Sequence, residues 1–311
     1  MSSSRYEKDK EFWRKCAEAI EPCTFFKNTN GLDKSSKRIE HEIPSHLCKR
    51  IEDFCANYKL TEYSFFLALI SVYINKIYDV NNFAIGTPFL NRQKRFGEFE
   101  ETGLHVSTLP LHVFVDDVVD FVEFCRTINS QNLGLYKHGN FPYHDIQRMF
   151  NESKNINSNM YEVGFSYQIN ISEKDFDSAC YDRSILESWN KGIGECKWLF
   201  SGEQNNSITF HLTQLNVRKL FAIDFLTCLF SDVQIERIYN DIFYLAEQVL
   251  DFYENRSDDL IKTSFPISNF QLVNSHEISL LKKFNNTGNM PIFDKNVIDY
   301  LEEIVQKHPN K

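Results

Sequence analysis

Nine histidines are the side chains of this sequence that could exchange a proton near neutral pH, and their spacing limits what they can do. No two are adjacent, and none opens a His-x-x-x-Asp-Gly run. His144 and Asp145 are neighbours, but consecutive side chains on a helix diverge by roughly 100°. The further His and Asp ligands of a metal phosphohydrolase are missing at a useful spacing. His105 lies in a strand-like run beside Gly103, Ser107 and Thr108, where an imidazole and two hydroxyls could face a substrate. A lone histidine rarely constitutes a site, so His105 is expected to be a packed or solvent-facing strand residue.

Other constellations are empty. The sequence has no phosphate-cradling Gly-x-x-x-x-Gly-Lys-Ser/Thr and no Gly-x-Ser-x-Gly elbow. Gly192-Ile193-Gly194 lacks a third glycine, and Glu98 to Glu101 reads as a solvated acidic loop. The eight cysteines form no Cys-x-x-Cys pair, which points to reduced thiols in a cytoplasmic protein and to no metal site. Cys48 and Cys55, seven apart, share a helix face as small apolar residues.

Composition bounds the class. A chain of 311 residues with 42% hydrophobic residues can bury a large core, and 28 Phe and 14 Tyr favour aromatic-rich strands and helix faces. A net charge of -9 with scattered basic residues argues against nucleic-acid binding. The polar N-terminus lacks the apolar core of a secretory signal. Phe65 to Ile74 is too short to span a bilayer, so no membrane partner is expected.

The elements that would position these residues follow from periodicity. Helices are predicted over residues 6–19, with Phe12 and Trp13 as anchors, and from Ser45, with Leu47, Ile51, Phe54, Cys55 and Tyr58 on one face. Thr61 caps a helix to Tyr78 that is apolar almost all round. Strands are expected at Lys37–Ile43, Phe83–Thr87, Leu104–Val115 and Glu162–Ile169, with a hairpin pairing Glu195–Ser201 to Ser207–Leu212. A helix over Val118–Leu135 takes Asp116 or Asp117 as cap, and Gly139, Pro142 and Asn151 to Asn159 punctuate a connection. Asp232–Tyr253 carries the clearest apolar stripe. Beyond a charged linker, Ser268 to Met290 reads as loop, and a last helix runs from about Asp294 to Gln306. Interleaved helices and strands predict an α/β fold with a mixed β-sheet and packed helices.

Five runs in order then carry a resemblance. Asp9-Lys10-Glu11-Phe12-Trp13, Ala84-Ile85-Gly86-Thr87-Pro88 with Asn91-Arg92, Thr102 to Leu111, His138-Gly139-Asn140-Phe141-Pro142-Tyr143, and Phe225 to Phe230 resemble the C-terminal half of a nonribosomal peptide synthetase condensation domain. That family is a member of the chloramphenicol-acetyltransferase-like superfamily. The second, third and fourth runs are similar to "IGTP…NR", "IGxFVNTLPLR" and "HQDYPFE". Ser107, His112 and Asn140 stand where the family usually has Asn, Arg and Asp. Leu280 to Asn286, Pro291 and the last helix resemble a linker into an adenylation domain. The implied division is 1–262 for the lobe and 263–311 for the linker and adenylation start.

The resemblance implies amide formation between aminoacyl or peptidyl thioesters held on phosphopantetheine arms of peptidyl carrier proteins, with no cofactor bound directly. The family's base is a histidine of an HHxxxDG loop in an N-terminal lobe that this sequence lacks. The lobe alone is therefore expected to be inactive, its partner lobe being on a separate polypeptide or lost. On this reading Gly103, Ser107 and Thr108 line the substrate tunnel, while Gly86, Arg92, His138 and Pro142 hold the local structure. A bare lobe face would favour a homodimer or poor solubility. Two rivals stand beside it: a non-catalytic carrier-docking module, and a stand-alone acyltransferase using His105.

Overall fold

The computed structural model describes all residues except 1–3, 23–24, 26–32, 91–105, 170–199, 216–217, 256–263, 287, 289–295 and 310–311. Helix α1 (Ser4–Ala19) forms because Asp9, Trp13 and Ala17 recur every four residues and bury one face. Helix α2 (Ser45–Tyr58) buries Leu47, Ile51, Phe54 and Cys55 and ends at Lys59, whose φ of 55° is the left-handed cap conformation. Helix α3 (Glu62–Tyr78) starts on the predicted Thr61 cap, reciprocated by Ser64 in a capping box. Every residue from Ser64 to Asn75 is buried, so the body of this helix has no solvent face.

Six strands form one mixed sheet: β1 (Ser36–Glu42), β2 (Asn82–Leu90), β3 (Val106–Phe114), β4 (Val163–Ile169), β5 (Ile208–Leu215) and β6 (Arg218–Leu226). Their order is β1-β6-β5-β4-β2-β3, with β2, β4 and β5 mutually parallel neighbours and the other pairings antiparallel. The expected α/β class, a mixed sheet with packed helices, is the fold observed. Helices α4 (Phe121–His138) and α6 (Asp232–Glu254) pack with α3, and α5 (Tyr143–Lys154) packs with α1 and β3. Phe66, Phe221 and Phe243 bring α3, β6 and α6 together, with the Phe221 and Phe243 rings edge-to-face at 5.3 Å.

Several expectations need correction. The antiparallel partner of β5 is β6, Ile208 facing Phe225, not the 195–201 segment; of that segment only Phe200 and Ser201 are described, and neither is strand. Tyr143–Lys154, read as connection, is helix α5, because Ile146 and Phe150 lie one turn apart and both bury. Helix α4 begins at Phe121 with Asp120 as cap, not Asp116 or Asp117. Asp120 also accepts from the Tyr253 hydroxyl and the Phe265 amide, each at 2.7 Å, and so wins over its neighbours. Within the stretch read as loop, Ser275–Asn285 is helix α7, opened by an Asn274–Glu277 capping box.

The chain separates into two compact units, Met1–Phe270 and Gln271–Lys311. The expected boundary at 262 lies outside the described residues. Residues 264–270 belong with the first unit, where Phe121 and Ile267 amides exchange bonds with Phe265 and Val119 carbonyls. The second unit holds α7 and α8 (Val297–Lys307), and α8 buries none of its residues. No described helix is long and apolar enough to cross a membrane.

Gly86 sits in the middle of β2, opposite Pro110, where a Cβ would fall inside the ring of Tyr161. That ring packs against Tyr143, centroids 6.0 Å apart, with Thr108 beside its hydroxyl, so moving it would disturb both neighbours. Gly86→Ala should lower stability by about 1–3 kcal/mol in urea unfolding, the usual cost of overpacking. In a Tyr161→Ala background the same change should cost far less; equal costs in both backgrounds would sink the explanation.

Candidate functional site

The described site residues gather at one corner of the sheet. Ser107 and Thr108 are half-buried on β3, opposite Phe89 and Pro88 of β2. Thr108 and Gly86 both meet Tyr161, and Phe89 meets Gly139 in the turn between α4 and α5. His138 ends α4, and Pro142 caps α5 with φ of -63° and ψ of 128°. The structure therefore brings Gly86, Ser107, Thr108, His138 and Pro142 around one β2–β3 corner. Gly103, His105 and Arg92 lie outside the described residues.

His138 is fully committed. Its Nδ1 lies 2.6 Å from Asp9 Oδ1, its ring stacks on Phe12 at 4.3 Å, and its carbonyl accepts from Trp13 Nε1 at 2.9 Å. This histidine docks α1 onto the end of α4, which explains why a carboxylate is tolerated on the buried face of α1. His112, standing where the family usually has arginine, pairs with Asn82 Oδ1 at 2.9 Å. Burial pushes its pKa down, so a neutral ring occupies that place.

Sequence reasoning did not find the most charged part of the sheet. Alternate residues of β6 face opposite sides: Lys219, Phe221, Ile223 and Phe225 turn to the helices, and Asp224 turns away. Asp224 accepts both forks of Arg38 on β1, at 2.6 and 2.8 Å, and lies 3.0 Å from His211 Nε2 on β5. Ser166 of β4 stands opposite His211 in register, completing a polar row across four strands. Arg38 also lies over the Phe200 ring, 5.2 Å from its centroid.

A Ser, His and Asp in one row invites comparison with a nucleophilic triad, and the geometry rejects it. Among the described residues no hydrogen bond joins His211 to Ser166, whose hydroxyl accepts from Gln168 at 3.3 Å. The Asp224 carboxylate is already engaged by a bidentate arginine and is not reserved for the imidazole. The row is a cross-strand tie between β1, β6 and β5. Period-two alternation on β5 and β6 was the only available signal, and it was unreadable until those strands were paired.

Burial pushes the Asp224 pKa up, but hydrogen bonds from Arg38 and His211 outweigh it and hold the carboxyl below the ordinary range. A depressed folded pKa gives stability that is full above the unfolded value of ~3.9 and is lost as pH falls through the folded value. Asp224→Asn should therefore cost about 2–3 kcal/mol at pH 7 and flatten the acid limb below ~pH 4 in denaturation curves. An unchanged acid limb would refute the tie.

Comparison with known proteins fits this geometry. A family model described as the condensation domain matches residues 1–264. Surfactin synthase subunit 1 of Bacillus subtilis (strain 168) is 26% identical over 262 residues, covering 83% of this chain and 7% of that protein. A plipastatin synthase of the same organism is 27% identical over 260 residues, covering 80% and 9%. The first condensation domain of the CDA synthetase shares the fold with a TM-score of 0.61 at 10% identity, over 88% of this chain and 54% of that one. The chain thus spans less than a tenth of these curated relatives and about half of that solved domain. On the match over residues 1–264, this chain belongs to the condensation-domain family of nonribosomal peptide synthetases.

Proposed function

We propose that this chain is the C-terminal lobe of a condensation domain and supplies one wall of its substrate tunnel, including Gly103, Ser107 and Thr108. In the completed site the acceptor amine nitrogen attacks the donor thioester carbonyl. The C–N bond forms, the C–S bond breaks, and the proton from nitrogen leaves with the freed thiol of the donor's phosphopantetheine arm. Holding both thioesters in reach is the larger part of that rate enhancement, because it turns a bimolecular encounter into a local one. Peptidyl carrier proteins and an adenylation domain are the partners of this reading, and α7 and α8 would begin the adenylation region.

The observation that carries the proposal is the family match together with the engagement of the imidazoles. Among the described residues, His41, His112, His138 and His211 are each paired, with Glu236, Asn82, Asp9 and Asp224. His144 lies 3.5 Å from Asp145 on an exposed helix face. This supports a base supplied by a lobe with the HHxxxDG motif.

The test is reconstitution. Aminoacyl-loaded donor and acceptor carrier proteins are mixed with this chain alone, and with a separately expressed N-terminal lobe, and products are read by mass spectrometry. Amide product should form only in the completed mixture, and His105→Ala should leave that yield unchanged. Turnover by the chain alone would overturn the division of labour. Carrier binding without synthesis in the completed mixture would favour a non-catalytic docking module.

A further inference from the structure

The helix side of the sheet holds a cleft that adjoins the corner described above through Pro88 and Tyr136. Where α2, α3 and α4 converge over the ends of β2 and β4, a cleft of about 540 Å³ opens. That falls within the ~300–1,000 Å³ of small-molecule sites. The charged side chains in its lining are two carboxylates, Glu52 of α2 and Glu62 in the first turn of α3. Tyr63, Tyr136 and Tyr167 bring aromatic rings to it from α3, α4 and β4, and Asn132 adds an amide.

The charges do not balance. Lys219 of β6, its side chain 6% exposed, donates to Glu52 Oε1 at 2.8 Å and to both Glu62 oxygens at 2.7 Å. Burial pulls the pKa of this lysine down, but hydrogen bonds to the two carboxylates outweigh it and raise the pKa above its ordinary value. Two negative groups thus share one positive group, and Glu52 Oε2 accepts from no described residue. Two more polar groups are uncommitted. The Tyr63 hydroxyl is enclosed beside the Thr87 hydroxyl without a well-formed hydrogen bond of its own. The Asn132 amide makes no hydrogen bond among the described residues.

From this arrangement we infer that the cleft binds a small organic cation, a primary ammonium carried on an aromatic or short aliphatic body. A second ammonium would neutralise the site, use the free Glu52 oxygen and lie against tyrosine faces, which attract cations. An anion would meet net negative charge. A hard dication would have to displace Lys219, and the described residues hold no group of three or more His, Cys, Asp or Glu placed for a metal. The inference rests on the cleft alone and is independent of the condensation reading.

Phenethylammonium and its neutral isostere 2-phenylethanol, each titrated into the full chain by calorimetry and by NMR, test it. The ammonium should bind saturably, and the alcohol at least about tenfold more weakly. Glu52→Gln, at a side chain 46% exposed, should weaken the ammonium about three- to tenfold. Tyr136→Ala, at an exposed ring, should weaken it similarly. Equal affinity for the two ligands, no saturable binding in the millimolar range, or indifference to both substitutions would overturn the assignment.

Discussion

A helix with apolar side chains on every face has to be enclosed, and α3 is such a helix. Phe65, Leu67, Leu69 and Ile70 leave no accessible surface at all. Each large side chain buried there is worth about 1.5–3 kcal/mol, so a solvent-facing α3 would be prohibitively costly. The sheet closes one side, and α2, α4 and α6 close the others. The buried hydroxyl of Ser71 bonds back to the Leu67 carbonyl at 2.7 Å, and Asn75 to Val80 and Asn81, so these two polar side chains inside the layer stay satisfied.

Once α3 fixes which face of the sheet is dry, strand alternation distributes the charges. Lys219 and Asp224, five residues apart on β6, fall on opposite faces. Lys219 is drawn under the helices to Glu52 and Glu62, while Asp224 turns to Arg38 and His211. The first arrangement opens onto a cleft with surplus negative charge. The second closes on itself and ties three strands together. A one-residue slip of β6 would exchange the two sets and leave both charges unpaired, so the ion pairs also specify register.

On the function proposed above, the part of this lobe in chemistry is geometric. The β2–β3 corner is steadied by Tyr161, Phe89 and the His138–Asp9 pair. Reactive geometry is held best by groups whose own positions are locked by packing. Membership of the condensation-domain family and a corner built this way are consistent with each other.

Much of the fold could be read from local pattern. Helices α2, α3 and α6 announce themselves through apolar spacing, and α3 also through the Thr61 cap, and those signals lie within a few residues of one another. The ordered motif runs likewise identify the family, because motif order is a property of the chain. Helix α5, with two buried residues, carries too weak a period, and β6, opening on Arg218 and Lys219, declares itself as a strand only beside β1 and β5. The Arg38–Asp224 pair spans 186 residues, and the Lys219 contacts to Glu52 and Glu62 span 167 and 157. Side chains so far apart meet only after strand register and helix packing are chosen. Local propensity therefore decided the elements, while tertiary burial decided which charges share a face and what they can hold.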